Sequence, residues 1–329
     1  MKNNSKDGFL NAGNSRKEHL LRIAWLYYFE QLTQAEIGER LGLSRVTVNR
    51  LLKEARDSKL VEIKLNADDI TPFELSQKLV TKYNLKEVFI SPNDQAEDSF
   101  TSLARMGALA FRQYLKPNMT VGVGFGRSLV HLPDFFESDD KGSCRFTSLI
   151  GGLDFSLGGR NHNFDILSRL AQKVNGQAVY IPAPIFVSNA ATRDIFIQDP
   201  SVQRSLQIAA ASDIIILSTG EVGPSSLLYQ LGVMTGSELQ ELRNLKACGD
   251  LLGHFFGHDG KELDTEFNRR VIGLSLQQVA KAPVSILVAG GEEKHKAIQA
   301  ALRGSLINVL VTDTATAQFL LDEDCLNKE

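Results

Sequence analysis

Apolar side chains recur along this chain with two different periods, and the change from one to the other divides it. From about Lys17 to Asp57 the spacing is helical. Leu20, Leu21, Ile23, Ala24, Tyr27 and Tyr28 predict a first helix with an aromatic-rich face turned inward, and Trp25 and the tyrosines read as core or dimer packing rather than a base-stacking platform. Thr33 with Glu36 three residues on forms a capping box that opens a short helix to Arg40 or Leu41. Gly42 ends it, because glycine tolerates the left-handed backbone of a tight turn. Ser44 caps the next helix, to about Asp57, whose inward stripe is Val48, Leu51, Leu52 and Ala55. LVEIKL, at 60–65, alternates and predicts a strand that would serve as a wing.

Asp68, Asp69 and Thr71-Pro72 mark a junction, after which Thr71, Pro72 and Glu74 have the character of N-cap, N1 and N3 of a helix through about Tyr83. Beyond it short apolar runs alternate with helical stretches. EVFIS, MTVGVG, RFTSLI, AVYIP, DIIILS, VSILVAG and INVLVT predict strands, with helices at about 99–115, after Gly126, at 164–174, at 292–302 and up to Leu321. Strands alternating with helices predict a doubly wound parallel sheet covered on both faces. The expected domains are a tail at 1–16, a winged helix-turn-helix at 17–66, and an effector and oligomerisation domain at 67–329.

A chain of 329 residues, 43% hydrophobic and 23% charged, suits a small folded domain joined to a larger one. Its formal net charge of -3 excludes a surface built throughout for nucleic acid. The charge is unevenly placed: residues 1–66 carry 12 Lys and Arg against 8 Asp and Glu, and the remainder 24 against 31. Only the first part is suited to a polyanion. Cys144, Cys248 and Cys325 are widely spaced, without a CxxC, and suggest reduced thiols. Neither a signal peptide nor a membrane span is legible, so a cytoplasmic protein is expected.

Two short helices joined by a glycine turn are a helix-turn-helix, whose second helix enters the major groove by its N-terminal half. Gly38, Gly42 and Val48 fall where the two helices must cross closely. On the outward face of the second lie Arg45, Thr47, Asn49, Arg50, Lys53 and Arg56. Arginine and asparagine make bidentate contacts with guanine and adenine edges, so Arg45, Thr47 and Asn49 are the base-edge candidates, and Arg50, Lys53 and Arg56 the phosphate candidates. The two caps, Thr33 and Ser44, complete the candidate DNA-contacting set. The competing interpretation is a solvated helix pair in an interaction domain.

In doubly wound sheets ligands bind beyond the carboxyl ends of the strands, and four strand ends here carry glycine turns. VGVGFGRSL, at 121–129, would present the N–H groups of Gly124, Phe125, Gly126, Arg127 and Ser128 to a phosphate at a helix start, although a purely structural turn fits the same residues. SLIGGLD contributes Gly151 and Gly152, STGEVG a third turn, and VAGGEEKHKAI a fourth with Lys294 in a first helical turn. A lysine there opposes the helix dipole, so a phosphate partner would account for it, a solvated side chain being the alternative. Asp250, in an apolar stretch, either accepts hydrogen bonds from sugar hydroxyls or caps a helix. His254 and His258 have metal-like spacing, but the glycines after them favour a turn; no metal or cofactor is expected, and no catalytic triad or Walker A sequence is present.

Taken in order, LTQAEIGERLGLSRVTVNRLLKEARDSKLVEI, VGVGFGRSL, SLIGG, YIPAP, ACGDLLGHFF with RVIGLSL, and VAGGEEKHKAIQAALRGSLINVLVTDTATA resemble the SorC-type sugar-responsive transcriptional regulators of bacteria, over about Lys17 to Leu321. The resemblance implies an effector domain like sugar-phosphate isomerases and deaminases, a phosphorylated sugar as effector, and assembly as a homodimer or homotetramer; because a dimer's half-sites lie about one helical turn or a multiple apart, pseudo-palindromic operator DNA is expected. By position, it places Gly124, Gly126, Arg127 and Ser128 on the phosphate side and Asp250 and Lys294 on the sugar phosphate. Two positions depart from the pattern: Cys248 stands where such regulators commonly have Val, and Glu221 to Ser225 replace a glycine-containing loop. A non-enzymatic regulator is expected. The alternatives are a sugar-phosphate isomerase or deaminase with an appended DNA-binding domain, for which no acid–base pair is evident near the turns, and a nucleotide-binding regulator, which lacks the acidic residue after the following strand.

Overall fold

The computed structural model describes residues 13–61, 67–92, 98–136, 144–153 and 163–322. The chain divides into two compact units, Met1–Ala67 and Asp68–Glu329.

In the first unit α1 (Gly13–Tyr28), α2 (Gln34–Leu41) and α3 (Arg45–Asp57) close around Leu20, Ile23, Leu26, Ile37, Val48, Leu51, Leu52 and Ala55. Each large aliphatic side chain buried this way contributes about 1.5–3 kcal/mol. The capping box is complete: Thr33 Oγ1 accepts from the Glu36 N–H, and the Glu36 carboxylate accepts from the Thr33 N–H at 2.7 Å. Gly42 adopts φ 68°, and the Leu43 N–H closes the turn on the Gly38 carbonyl at 2.8 Å. A Cβ on Gly38 would lie 2.6 Å from the Leu43 oxygen, so the close crossing requires glycine there. The Arg16 guanidinium donates twice to the Glu54 carboxylate, at 2.8 and 3.0 Å, and fastens α1 to α3.

Two expectations change in this unit. The first helix starts at Gly13, inside the stretch expected to be a tail. Leu21 and Trp25 do not face the core: they are 44% and 55% exposed, and Trp25 stacks on the equally outward Phe29 at 4.4 Å. Helical geometry explains this, because Leu21, Trp25 and Phe29 form their own i, i+4, i+8 row, rotated away from the row of Leu20, Ile23 and Tyr27. Leu60 and Val61 pack against the small core, while the rest of the expected wing, 62–65, lies outside the described residues.

The second unit opens with α4 (Ala67–Tyr83), which begins before Thr71 and contains Pro72 instead of starting at it. Pro72 therefore lies past the first turn, where it gives up one backbone hydrogen bond and its ring crowds the carbonyl four residues back. The central sheet has seven strands, β1 (Glu87–Ser91), β2 (Thr120–Val123), β3 (Arg145–Ser148), β4 (Gln177–Val179), β5 (Ile214–Leu217), β9 (Val284–Val288) and β10 (Val309–Asp313). Their order is β1-β10-β9-β5-β2-β3-β4 and every described pairing is parallel. The pleat sends alternate residues to opposite sides: Ile214, Ile216, Ile286 and Val288 join one core, with Leu103 and Phe111 of α5 (Ser99–Tyr114), whereas Ile215, Leu217 and Leu287 join another, with Leu79, Ile298 and Leu320. Both faces are covered, as the apolar runs predict.

The order of the strands has a consequence for binding. From β2 the chain proceeds outward through β3 and β4, returns to β5 on the other side of β2, and then proceeds the opposite way through β9 and β10. The reversal lies between β2 and β5, the position where doubly wound sheets leave a crevice. A second, small sheet not foreseen from the sequence, β6 (Thr219–Gly220), β7 (Gly249–Leu251) and β8 (His254–Phe256), extends antiparallel from the end of β5. Helices Ala190–Gln198 and Pro200–Ala210 were likewise unforeseen.

Candidate DNA-facing helix and effector cleft

Ser44 caps α3 by accepting from the Thr47 N–H at 3.1 Å, and its hydroxyl meets the Thr47 hydroxyl at 2.8 Å. With Val48, Leu51 and Leu52 fixed in the core, helical geometry leaves Arg45, Asn49, Arg50, Lys53 and Arg56 exposed and Thr47 half-buried. Among the described residues none of these four cations has an ion-pair partner. Two acids of the module are engaged elsewhere, Glu54 by Arg16 and Glu30 by Arg40 at 2.7 Å. The hydroxyls of Thr33 and Ser44 serve as caps. Val46, 79% exposed, shares the outward face and was missed from the sequence; its only signal there is an apolar residue lying off the inward stripe.

The cleft forms where the chain leaves β2, β5 and the turn before Lys294. Its walls include Phe125, Gly126 and Arg127 after β2, Ser218 to Glu221 after β5, and Asp250 and Lys294. Gly126 has φ 141°, and a Cβ on it would come within 2.7 Å of the Ser218 Cβ, so only glycine lets the two loops touch. Among the described residues no backbone carbonyl takes the N–H groups of Phe125, Gly126, Arg127 and Ser128. The Gly124 N–H differs, since it extends the sheet by donating to the Ile216 carbonyl at 2.8 Å. The Ser128 and Ser218 hydroxyl oxygens are buried without a hydrogen-bond partner, an expensive condition that a ligand oxygen would relieve.

Lys294 is 2% exposed, so the solvated alternative does not hold. It ends a short 3-10 turn, Glu292–Lys294, reached through Gly291 at φ 97°. Asp313, at the end of β10, fixes that turn by accepting from the Gly291 N–H at 2.8 Å. Lys294 Nζ lies 5.6 Å from the centre of the Phe100 ring, and the Arg127 guanidinium 5.1 Å from the same ring. Burial pushes the Lys294 ammonium below the usual lysine range, against the attraction of Glu221. Arg127 Nη2 also pairs with Glu221 Oε1 at 3.0 Å.

Asp250 lies in β7 and caps no helix. Its Oδ2 accepts from the Gly253 N–H at 2.9 Å, and its Oδ1 lies where a Cβ on Gly220 would be, 2.1 Å from that point. Burial, followed by the like charge of Glu221, pushes its carboxyl up to about 6. His254 Nδ1 meets Glu262 Oε1 at 2.7 Å, and among the described residues no group of three or more His, Cys, Asp and Glu side chains is arranged for a metal.

The cleft therefore gathers Phe125, Gly126, Arg127, Asp250 and Lys294, which the sequence singled out, and adds Phe100, Ser218 and Glu221. Ser218 was visible as the first residue of a glycine turn, whereas nothing local marks Phe100. Gly151 and Gly152 do not join them. Their N–H groups donate to the Ile272 and Ala183 carbonyls at 2.9 Å each, and a Cβ on Gly151 would strike the Pro184 oxygen at 2.4 Å, so this pair makes a close backbone crossing. The two carboxylates, Glu221 and Asp250, come together although no acid–base pair was evident in sequence. No described helix is long and apolar enough to cross a membrane.

Comparison with known proteins agrees with both units. The Sugar-bind family of sugar-binding domains matches residues 69–322, and the Sigma-70 region 4 family residues 22–58. Transcriptional regulator LsrR of Klebsiella pneumoniae is 32% identical over 315 residues, 93% of this chain and 94% of its own. The deoxyribonucleoside regulator of Bacillus subtilis is 29% identical over 92% of this chain and 97% of its own. The full-length sorbitol operon regulator SorC from Klebsiella pneumoniae superposes with a TM-score of 0.72 at 27% identity, covering 93% of this chain and 99% of that one. With a helix-turn-helix at one end and a sugar-binding domain over the rest, the chain belongs to the SorC family of sugar-responsive bacterial transcriptional regulators.

Proposed function

We propose that this regulator binds pseudo-palindromic operator DNA as a homodimer or homotetramer, and that a phosphorylated sugar in the cleft alters its affinity for that operator. One observation carries the effector assignment: a half-buried Arg127 and a buried Lys294 line one cleft together with the buried, partnerless hydroxyl of Ser218. The N–H groups at 125–128 supply donors for the same anion. Asp250, deprived of water, is suited to accept from a sugar hydroxyl. On the DNA side, Arg45 and Asn49 read base edges, Val46 meets a thymine methyl, and Arg50, Lys53 and Arg56 hold phosphates. The exposed row of Leu21, Trp25 and Phe29 supports assembly with a second copy.

We assign no catalysis to the cleft. Glu221 is held by Arg127 and Asp250 by the Gly253 N–H, which leaves neither poised as a free base. A thermal-shift screen against sugar phosphates, free sugars and dinucleotides tests the assignment. A ligand at 100 times its Kd stabilises by about 2.7 kcal/mol. A sugar monophosphate is expected to raise the melting temperature and to be recovered unchanged. A shift with free sugars or dinucleotides and none with any phosphate would refute it.

A further inference from the structure

The cleft as it stands has no room for the ligand proposed above. The space enclosed among its side chains is about 30 Å³, enough for a water molecule and far too little for a sugar phosphate. What fills the anion position is part of the chain itself. Glu221, 5% exposed, follows β6 and extends its carboxylate to the Arg127 guanidinium at 3.0 Å, and both Arg127 and Lys294 lie against the Phe100 ring. A carboxylate paired with one guanidinium nitrogen occupies a donor that a phosphate oxygen would otherwise take.

We propose that Glu221 is the specificity-determining residue of the cleft: its carboxylate is a built-in competitor for Arg127, which a phosphate dianion displaces and a monoanionic or neutral sugar does not. This rests on the phosphate assignment made above. The charges support it. Arg127 and Lys294 are balanced by Glu221 and Asp250, so a dianion entering with both carboxylates in place brings four negative charges against two positive ones. Coulomb repulsion at these separations opposes that entry unless Glu221 leaves Arg127. A dianion attracts Arg127 and Lys294 more strongly than a single carboxylate does and can replace it. A sugar acid carries one charge, offers Arg127 nothing that Glu221 does not already provide, and pays for entry.

Glu221→Gln removes the competing charge and keeps the shape. Titration calorimetry of the full-length protein with inorganic phosphate, and with gluconate as a monoanionic probe, is the test. The variant is expected to bind phosphate about ten-fold more tightly than the wild type, the effect of relieving one charged contact, and to admit gluconate that the wild type rejects. Glu221→Ala is expected to change phosphate affinity in the same direction, which guards against a fault specific to glutamine. If the wild type binds phosphate and both variants bind it equally or more weakly, Glu221 is a bystander or a ligand contact and the proposal is overturned. If neither wild type nor variant binds phosphate or any sugar monophosphate, the phosphate assignment is overturned along with it.

Discussion

Asp250 shows how one residue's position sets its chemistry. It is packed against Gly220 and beside Glu221, and its only described hydrogen-bond donor to the side chain is the Gly253 N–H. Its folded-state pKa, pushed to about 6 from 3.8, is raised. A raised carboxyl stabilises the folded state fully below the unfolded value and loses that contribution as the pH climbs through the folded value. The wild type is therefore expected to lose stability between about pH 4 and pH 7 that Asp250→Asn retains, on the order of 2–3 kcal/mol. The asparagine keeps an oxygen for Gly253, so the difference reports charge. Urea denaturation at pH 4.5 and 7.5 checks this: the variant should exceed the wild type at pH 7.5, with the gap closing at pH 4.5. A gap equal at both values would mean that Asp250 is not a strained anion.

At the scale of elements, the loops after β2 and β5 make the cleft by touching, and Gly126 permits the touch. Gly126→Ala places a Cβ at φ 141° and 2.7 Å from Ser218, a backbone strain of about 1–3 kcal/mol. Phosphate binding should be lost and the melting temperature lowered, while DNA affinity without ligand should remain within two-fold. Calorimetry and fluorescence anisotropy on the same preparation measure all three. The elements themselves differ in how far the sequence discloses them. α2, its glycine turn and α3 were legible because caps, turn and stripe all lie within thirty residues and agree. The strands were legible as apolar runs. The β6–β7–β8 sheet was not, because strands of two or three residues carry no periodicity, and Asp250 meets Gly220 only through pairing across thirty residues of chain. Phe100, and the role of Glu221 as a counter-charge to Arg127, escaped for the same reason: both are properties of the fold's closure, although the turn that holds Glu221 was itself legible. Leu21 was misassigned because two helical rows of apolar residues run along α1 and the stripe alone cannot say which is covered.

At the scale of the molecule, a basic three-helix unit and an acidic α/β unit divide recognition from sensing. The effector shifts operator affinity only if it interacts differently with the DNA-competent and DNA-incompetent states. On the proposed reading, Gly124 to Ser128, Asp250 and Lys294 act on DNA solely through that equilibrium, while Arg45 and Asn49 act on DNA directly. The decisive measurement is fluorescence anisotropy of the full-length protein on a duplex selected from a random pool, with and without the sugar monophosphate that shifts its melting temperature, comparing wild type, Lys294→Met and Arg45→Ala/Asn49→Ala. The account predicts that the ligand changes wild-type affinity at least ten-fold, about 1.4 kcal/mol. It predicts that Lys294→Met binds DNA normally but ignores the ligand, and that the double variant fails on DNA while keeping its thermal stability within about 0.5 kcal/mol. A Lys294→Met protein that still responds, or a double variant that still selects the operator, would contradict it.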